Sequence, residues 1–176
     1  MLVCYMSKIL LHIAFLSLFV SLSFAKEPTL ATLRSVSTNE FQKFSIGLYE
    51  FICRPYGVIT VDELYNRAEF NSECKKNIQE FYFQNPMSKY FTQNLLKNRQ
   101  LYHIEFKEEK CILYAKGKMT MSELLVKNGL ALKNPLVKSE EFEYSLIQAQ
   151  IYAKENKIGL FKNNISDKCI SELNKN

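Results

Sequence analysis

The chain has 176 residues, with 23 lysines and arginines against 18 aspartates and glutamates, and its formal net charge is +5. This length supports one domain with a proper core and excludes two ordinary domains. The positive excess is modest, so it is compatible with a polyanionic partner but does not require one.

The first 25 residues have the features of a secretory signal peptide. Lys8 is their one charge, residues 9–24 are apolar, and the small residues Ser23 and Ala25 favour cleavage after Ala25. Because the apolar run is near the lower limit for crossing a bilayer, a retained signal anchor is the alternative. We expect a secreted or periplasmic protein with no stable membrane insertion after cleavage, and with a net charge of +4 once Lys8 is lost.

Four cysteines follow the signal peptide, and an oxidising compartment favours disulfides between them. They are Cys53, Cys74, Cys111 and Cys169. Three pairings are possible, and the sequence does not choose among them. A zinc site is disfavoured because no two of these cysteines have C-x-x-C spacing and His103, the one histidine beyond the signal, has no partner in sequence.

The first half of the exported chain predicts strands followed by helices. Residues 31–61 are rich in β-branched and aromatic residues, which favours two or three strands. Thr60 and Glu63 have capping-box spacing, so a helix is expected to begin there, and a second helix is expected after Asn71 or Ser72.

The second half predicts a helix, a strand pair and two further helices. Apolar residues in 87–97 have helical spacing, and 100–106 and 110–115 are expected to form two strands. Thr120 with Glu123 repeats the capping-box spacing, and Gly129 is expected to end that helix.

A last helix is expected between a cap at Ser139 and Gly159. The tail after Asn163 is polar and is expected to be loose, unless Cys169 pins it. The element order as a whole indicates an α+β fold, a small sheet or barrel with attached helices.

Two segments carry a resemblance to a known family. They are 114–131, which reads YAKGKM and then SELLVKNGLA, and the closing helix with the KIGLF that follows it at 157–161. Together with the upstream helix and strand, the match covers residues 86–162 and resembles the staphylococcal nuclease (thermonuclease) family. The resemblance implies a five-stranded OB-type barrel with one inserted helix region and two C-terminal helices. The whole domain would span residues 26–163, followed by a polar tail at 164–176.

The same resemblance implies a phosphodiesterase site in the first half of the chain. It places Arg54 on a phosphate-binding arginine and Asp62 on the catalytic acid, with Glu63 beside it as the alternative base. It places Glu40 on an acid that holds calcium, so Glu40 and Asp62 become the candidate metal ligands. Such a site needs oxygen ligands for a hard cation, a base for water and cations for the phosphate charge.

Parts of the family pattern are missing. Ile59 stands where a metal-binding aspartate belongs, and Asn39 and Val61 replace a glycine and a proline. The loop that carries a second arginine is also missing, leaving Lys107 or Lys110 as the nearby cations; a lysine supplies charge without bidentate geometry.

Each candidate also has a plainer explanation. Arg54 beside a Pro-Tyr-Gly sequence is typical of a turn, and acids such as Asp62 and Glu63 are favoured in the first turn of a helix by its dipole and cap. Glu40 is ordinary in a polar turn. Four aromatic residues could stack on bases, although such residues more often form core or barrel wall: Tyr90, Phe91, Phe106 and Tyr114.

Three functions are therefore expected, in order. The first is an exported nuclease-like phosphodiesterase that uses a divalent metal such as Ca²⁺ and takes DNA or RNA as substrate. The second keeps the fold without catalysis, as a disulfide-linked OB-fold module that binds nucleic acid, peptide or an envelope protein. The third is a structural envelope domain, because fold alone does not fix function.

Overall fold

The computed structural model describes residues 28–137 and 140–173, in which eight strands and six α-helices form an α+β fold. The strands are β1 (Thr29–Val36), β2 (Gln42–Ile46), β3 (Tyr49–Cys53), β4 (Val58–Thr60), β5 (Leu101–Lys107), β6 (Lys110–Lys116), β7 (Met119–Thr120) and β8 (Ala131–Lys133). The helices are α1 (Val61–Arg67), α2 (Glu73–Gln84), α3 (Phe91–Leu95), α4 (Met121–Lys127), α5 (Glu140–Glu155) and α6 (Ile165–Leu173), with 3-10 helices at Pro86–Tyr90 and Gly159–Asn164. The expected signal peptide and the expected cap at Ser139 lie outside these residues.

The larger sheet has six antiparallel strands in the order β3-β2-β1-β5-β6-β7, and β4 pairs with β8 in a second, smaller sheet. After β3 the chain runs beside the start of β6. There Pro55 forms a parallel bridge with Cys111, Cys111 N donates to Arg54 O over 2.9 Å, and Tyr56 N donates to Cys111 O over 2.9 Å. The segment that follows one edge strand therefore contacts β6 near the opposite side of the sheet.

The core lies between the inner face of the sheet and the helices. The strand residues Leu33, Phe44 and Ile104 are fully buried, as is Leu125 of α4. Burial of a side chain of this size contributes about 1.5–3 kcal/mol, so these alternating positions fix which face of each strand is internal.

Three of the expected helix starts are confirmed. Thr60 Oγ1 accepts from Glu63 N at the start of α1, and Ser72 Oγ accepts from Lys75 N at the start of α2. The capping box between Thr120 and Glu123 is complete at α4. The single helix expected at 87–97 is instead a 3-10 helix beginning at Pro86, followed by the short α3.

Gly129 ends α4 as expected, whereas α5 ends at Glu155 and Gly159 instead begins the 3-10 helix that follows. The two glycines lie against each other. Both have positive φ, at 62° and 57°, and Leu160 N donates to Gly129 O over 2.9 Å. A Cβ on either glycine would collide with the backbone of the other segment. Each position therefore requires glycine for two reasons: its positive φ, and the close approach of the other segment's backbone.

The expectation of a loose tail after Asn163 is wrong, because α6 occupies Ile165–Leu173. Ile165 and Cys169 share one face and are buried, and Cys169 forms a disulfide with Cys74 of α2 at a Cα–Cα distance of 4.7 Å. The second disulfide joins Cys53 and Cys111 at 5.5 Å, which selects one of the three pairings that the sequence allowed.

In the part of the chain described, no helix is long and apolar enough to cross a bilayer.

Candidate functional site

Five charged side chains from four parts of the chain meet beside the end of β3, and we call them the charged cluster. Its members are Glu40 from the β1–β2 turn, Arg54 directly after β3, Glu63 and Arg67 from α1, and Lys110 at the start of β6. Three of the residues predicted from the sequence, Glu40, Arg54 and Glu63, are thus brought together.

Arg54 and Glu40 form the innermost ion pair of the cluster. The Glu40 side chain is 4% exposed and accepts a hydrogen bond from Arg54 Nη2, whereas the Arg54 side chain is 33% exposed and its guanidinium lies over the Phe41 ring. The turn that carries Glu40 is shaped by Thr38, whose Oγ1 accepts from the backbone N–H groups of Glu40 and Phe41. A buried carboxylate needs such a partner, so Arg54 stabilises the turn as well as presenting a cation.

Glu63 lies among three cations without being tightly bonded to any. Its Oε2 is 3.9 Å from Arg54 Nη2 and 3.7 Å from Lys110 Nζ, and its Oε1 is 3.4 Å from Arg67 Nη1. The first two distances allow Coulomb attraction but exceed a hydrogen bond. Neither Arg54 nor Lys110 is therefore fixed by this carboxylate, and an incoming anion could replace it.

The Cys53–Cys111 disulfide links the two segments that carry Arg54 and Lys110. Arg54 follows one of the bonded cysteines and Lys110 precedes the other, and the backbone bonds around Pro55 tie the same two segments together. The covalent link therefore fixes the separation of the backbones that carry the two positive side chains.

Asp62 is directed away from the charged cluster. Its Oδ1 accepts from Tyr82 Oη at 2.7 Å and its Oδ2 accepts from Asn39 N at 3.2 Å. Burial, followed by the negative charge of Asp62, raises the pKa of Tyr82 well above its usual range, so the phenol remains the donor. Through these two hydrogen bonds, Asp62 links α1 to α2 and to the β1–β2 turn.

A cleft of about 730 Å³ opens beside Asp62, and we call it the aromatic cleft. Its lining comes from the β1–β2 turn, α1, α2 and the 3-10 helix at Pro86–Tyr90: Ser37, Thr38, Asp62, Tyr65, Asn66, Gln79, Tyr82, Phe83, Pro86, Lys89 and Tyr90. Of the four aromatic residues considered for stacking, Tyr90 is part of this lining.

The two predicted metal ligands, Glu40 and Asp62, do not fit a calcium ion. Calcium takes six to eight oxygen ligands, but Glu40 is bonded to Arg54 and both oxygens of Asp62 already accept hydrogen bonds. Within residues 28–137 and 140–173, no group of three His, Cys, Asp or Glu side chains could hold a metal ion. Ile59, where the resemblance expects a metal ligand, supplies no oxygen from its side chain.

Sequence reasoning gave little weight to Lys110 and did not consider Tyr82 or Arg67. Lys110 had one usable signal, because it stands next to Cys111 as Arg54 stands next to Cys53. That signal becomes visible only when the pairing of the cysteines is known. Tyr82 had none, since its bond to Asp62 depends on how two helices pack.

Comparisons with known proteins add no relative that could assign a role to these residues. A scan against models of protein families finds no match, and a search of curated proteins finds none either. The geometry of the charged cluster and the aromatic cleft is therefore the basis for assigning a function.

Proposed function

We propose that this chain is an exported OB-type domain that binds nucleic acid through its phosphodiester backbone, with Arg54 and Lys110 as the phosphate ligands. The observation that carries the proposal is the pairing of these two cations on opposite sides of one disulfide, with the loosely held Glu63 between them. The two disulfides are also what an oxidising compartment outside the cytoplasm favours.

The strand pairing supports the barrel in this proposal. In the order β3-β2-β1-β5-β6 the first and last strands lie four places apart, and the parallel bridge at Pro55 joins the segment after β3 to the start of β6. The helices α1 to α3 lie between β3 and β5 in sequence, where the staphylococcal nuclease resemblance implies an inserted helix region, and α4 and α5 follow β7 and β8, with α6 as a third helix after them.

The charge balance supports anion binding at this place. Glu40 offsets one cation of the charged cluster and Glu63 another, which leaves an excess of one positive charge among its five members. A phosphate that displaced Glu63 would meet the guanidinium of Arg54, which can donate two parallel hydrogen bonds, and the ammonium of Lys110.

The second candidate is phosphodiester hydrolysis, as the resemblance implies, and the position of Glu63 favours it. A carboxylate between two phosphate-binding cations could take the proton from an attacking water, while Arg54 and Lys110 stabilise the charge that develops on phosphate. In this candidate Glu63 is the base, and Asp62 is a structural residue. The divalent ion that the resemblance implies is given no part, because its two predicted ligands, Glu40 and Asp62, do not fit it.

Binding is tested by fluorescence anisotropy with a labelled single-stranded oligonucleotide over a range of salt concentrations. The purified protein is expected to bind with an affinity that falls steeply with salt, and Lys110→Ala is expected to lower the log–log salt slope by about 1. The matched control is Lys127→Ala, which removes the same charge from the exposed end of α4. Equal effects of the two variants would remove Lys110 from the site.

Glu63→Gln separates the two candidates. Loss of the competing carboxylate is expected to tighten oligonucleotide binding by about 2- to 5-fold, because partly exposed ion pairs longer than a hydrogen bond contribute up to about 1 kcal/mol. Cleavage is followed on the same oligonucleotide with Ca²⁺ and with chelator. Cleavage by the wild-type protein that disappears in Glu63→Gln would establish the hydrolase, whereas binding without cleavage would leave the binding module.

A further inference from the structure

The lining of the aromatic cleft includes one stripe of residues from each of two helices. The α1 residues in the lining are Asp62, Tyr65 and Asn66, and the α2 residues are Gln79, Tyr82 and Phe83. Each set has the spacing i, i+3, i+4, which places its members on a single helix face. The two helices therefore present aromatic and hydrogen-bonding side chains to the same space.

Of the four aromatic rings in the cleft lining, two have a lysine ammonium over one face and two are exposed. Lys75 Nζ lies over the Tyr65 ring at 4.7 Å and Lys89 Nζ lies over the Tyr82 ring at 5.1 Å. Phe83 and Tyr90 are instead 87% and 52% exposed. Open aromatic faces beside hydrogen-bonding groups suit a planar ring that stacks and also bonds at its edge.

The charges in the aromatic cleft balance, unlike those in the charged cluster. Asp62 and Lys89 are its two charged lining residues and have opposite signs. Such a lining favours a neutral, ring-bearing group over a second phosphate.

The aromatic cleft and the charged cluster are built in part from the same two short segments of the chain. In α1, Asp62 lines the cleft and the next residue, Glu63, belongs to the cluster; in the β1–β2 turn, Thr38 lines the cleft and Glu40 belongs to the cluster. A ligand with alternating charged and aromatic units could therefore occupy both at once.

We propose that the aromatic cleft holds one base of a single-stranded nucleic acid whose neighbouring phosphate lies at Arg54 and Lys110. The proposal rests on the proposed function for the phosphate and adds the substrate class, a single strand whose bases are not paired.

Phe83 and Tyr90 supply the stacking surfaces. Asn66 and Gln79 line the same cleft and supply polar groups for the edge of the ring. Because Gln79 Nε2 donates to Tyr65 Oη over 3.0 Å, its amide oxygen is the group offered to the base.

The test compares two labelled oligomers of equal length and charge, an oligothymidine and a chain of abasic deoxyribose units. The purified protein is expected to bind oligothymidine about 5- to 150-fold more tightly, the range for stacking of one base on an aromatic side chain. Phe83→Ala is expected to lower this preference, and Phe83→Ala/Tyr90→Ala is expected to bring it close to 1. The matched control is Phe70→Ala, since Phe70 is 86% exposed and outside the cleft lining.

The outcomes separate this inference from the proposed function. Equal binding of both oligomers to the wild-type protein overturns the base site while phosphate binding stands. Failure to bind either oligomer removes the proposed function and the base site together. A preference that Phe83→Ala and Phe70→Ala lower equally also overturns the base site, as does displacement of oligothymidine by a neutral N-acetylglucosamine oligosaccharide.

Discussion

The charged cluster and the aromatic cleft share the first turn of α1, yet their carboxylates are held in different ways. Asp62 accepts two hydrogen bonds at 2.7 and 3.2 Å, whereas Glu63 keeps longer ion pairs at 3.4 to 3.9 Å. Each region is also tied by its own disulfide: Cys53–Cys111 links the segments that carry the cations, and Cys74–Cys169 links α2 to α6. In the charged cluster, an incoming anion could therefore replace the Glu63 carboxylate. In the aromatic cleft, hydrogen-bonded polar groups surround exposed aromatic rings.

The largest expected effect comes from removing one disulfide at a time. The cysteines are 58 and 95 residues apart, so the chain-entropy model gives each bond a similar stabilisation of roughly 4–5 kcal/mol. Urea unfolding of Cys53→Ala/Cys111→Ala and Cys74→Ala/Cys169→Ala is expected to show comparable losses.

Ligand binding should distinguish the two double variants where stability does not. Cys53→Ala/Cys111→Ala is expected to weaken binding of the abasic oligomer, and Cys74→Ala/Cys169→Ala is expected to lower the preference for oligothymidine. Both are measured under conditions where circular dichroism shows a folded protein. Equal binding defects in the two variants would mean that the regions are not separately fixed.

A smaller loss of stability is expected when one partner of the Arg54–Glu40 ion pair is removed. Arg54→Ala leaves the buried Glu40 carboxylate without its partner, which is expected to cost about 2–4 kcal/mol of unfolding free energy. Arg67→Ala, which removes a partner of Glu63 at an exposed position, should cost less than about 1 kcal/mol. Glu40→Gln/Arg54→Ala should recover part of the loss, and a double variant no more stable than Arg54→Ala would contradict this account.

The two consecutive acids provide the most direct test of the comparison between the regions. Asp62→Ala removes an acceptor used by Tyr82 Oη and Asn39 N and is expected to cost about 1–3 kcal/mol. Glu63→Ala is expected to cost less than about 1 kcal/mol, although both residues lie in the same first turn and share its dipole. Denaturant titration measures both, and a Glu63→Ala loss as large as that of Asp62→Ala would reverse the assignment of structural and exchangeable roles.

Local signals in the sequence were sufficient for the ends of several elements. Thr60, Ser72 and Thr120 cap helices because their hydroxyls satisfy nearby backbone N–H groups, and Gly129 ends a helix because it takes a positive φ. These interactions span only a few residues, so the sequence alone indicates them. The approximate positions of β5 and β6 followed from hydrophobic patterning for the same reason.

The site depended on contacts that no local pattern contains. Consecutive helical residues differ in direction by roughly 100°, so which of Asp62 and Glu63 faces the cations is decided by packing against Tyr82. The position of Lys110 beside Arg54 depended on a disulfide pairing that the sequence left open. Likewise α6 looked like a polar tail, because its buried face forms only against α2.

The smallest expected effect concerns pH and Tyr82. Its pKa is raised above the usual 10.0, first by burial and then by Asp62, so the folded protein keeps the proton at a pH where the unfolded chain loses it. The resulting stabilisation is fully present below about pH 10 and decreases as the pH rises further, by at most about 1.4 kcal/mol per pH unit. Tyr82→Phe should cost about 1 kcal/mol at neutral pH through the lost hydrogen bond to Asp62, and this difference should shrink above about pH 10 because phenylalanine has no proton to lose. Urea unfolding of both proteins across this range cancels the contributions of the remaining tyrosines and lysines, and a constant difference would show that Tyr82 is not held as the neutral donor.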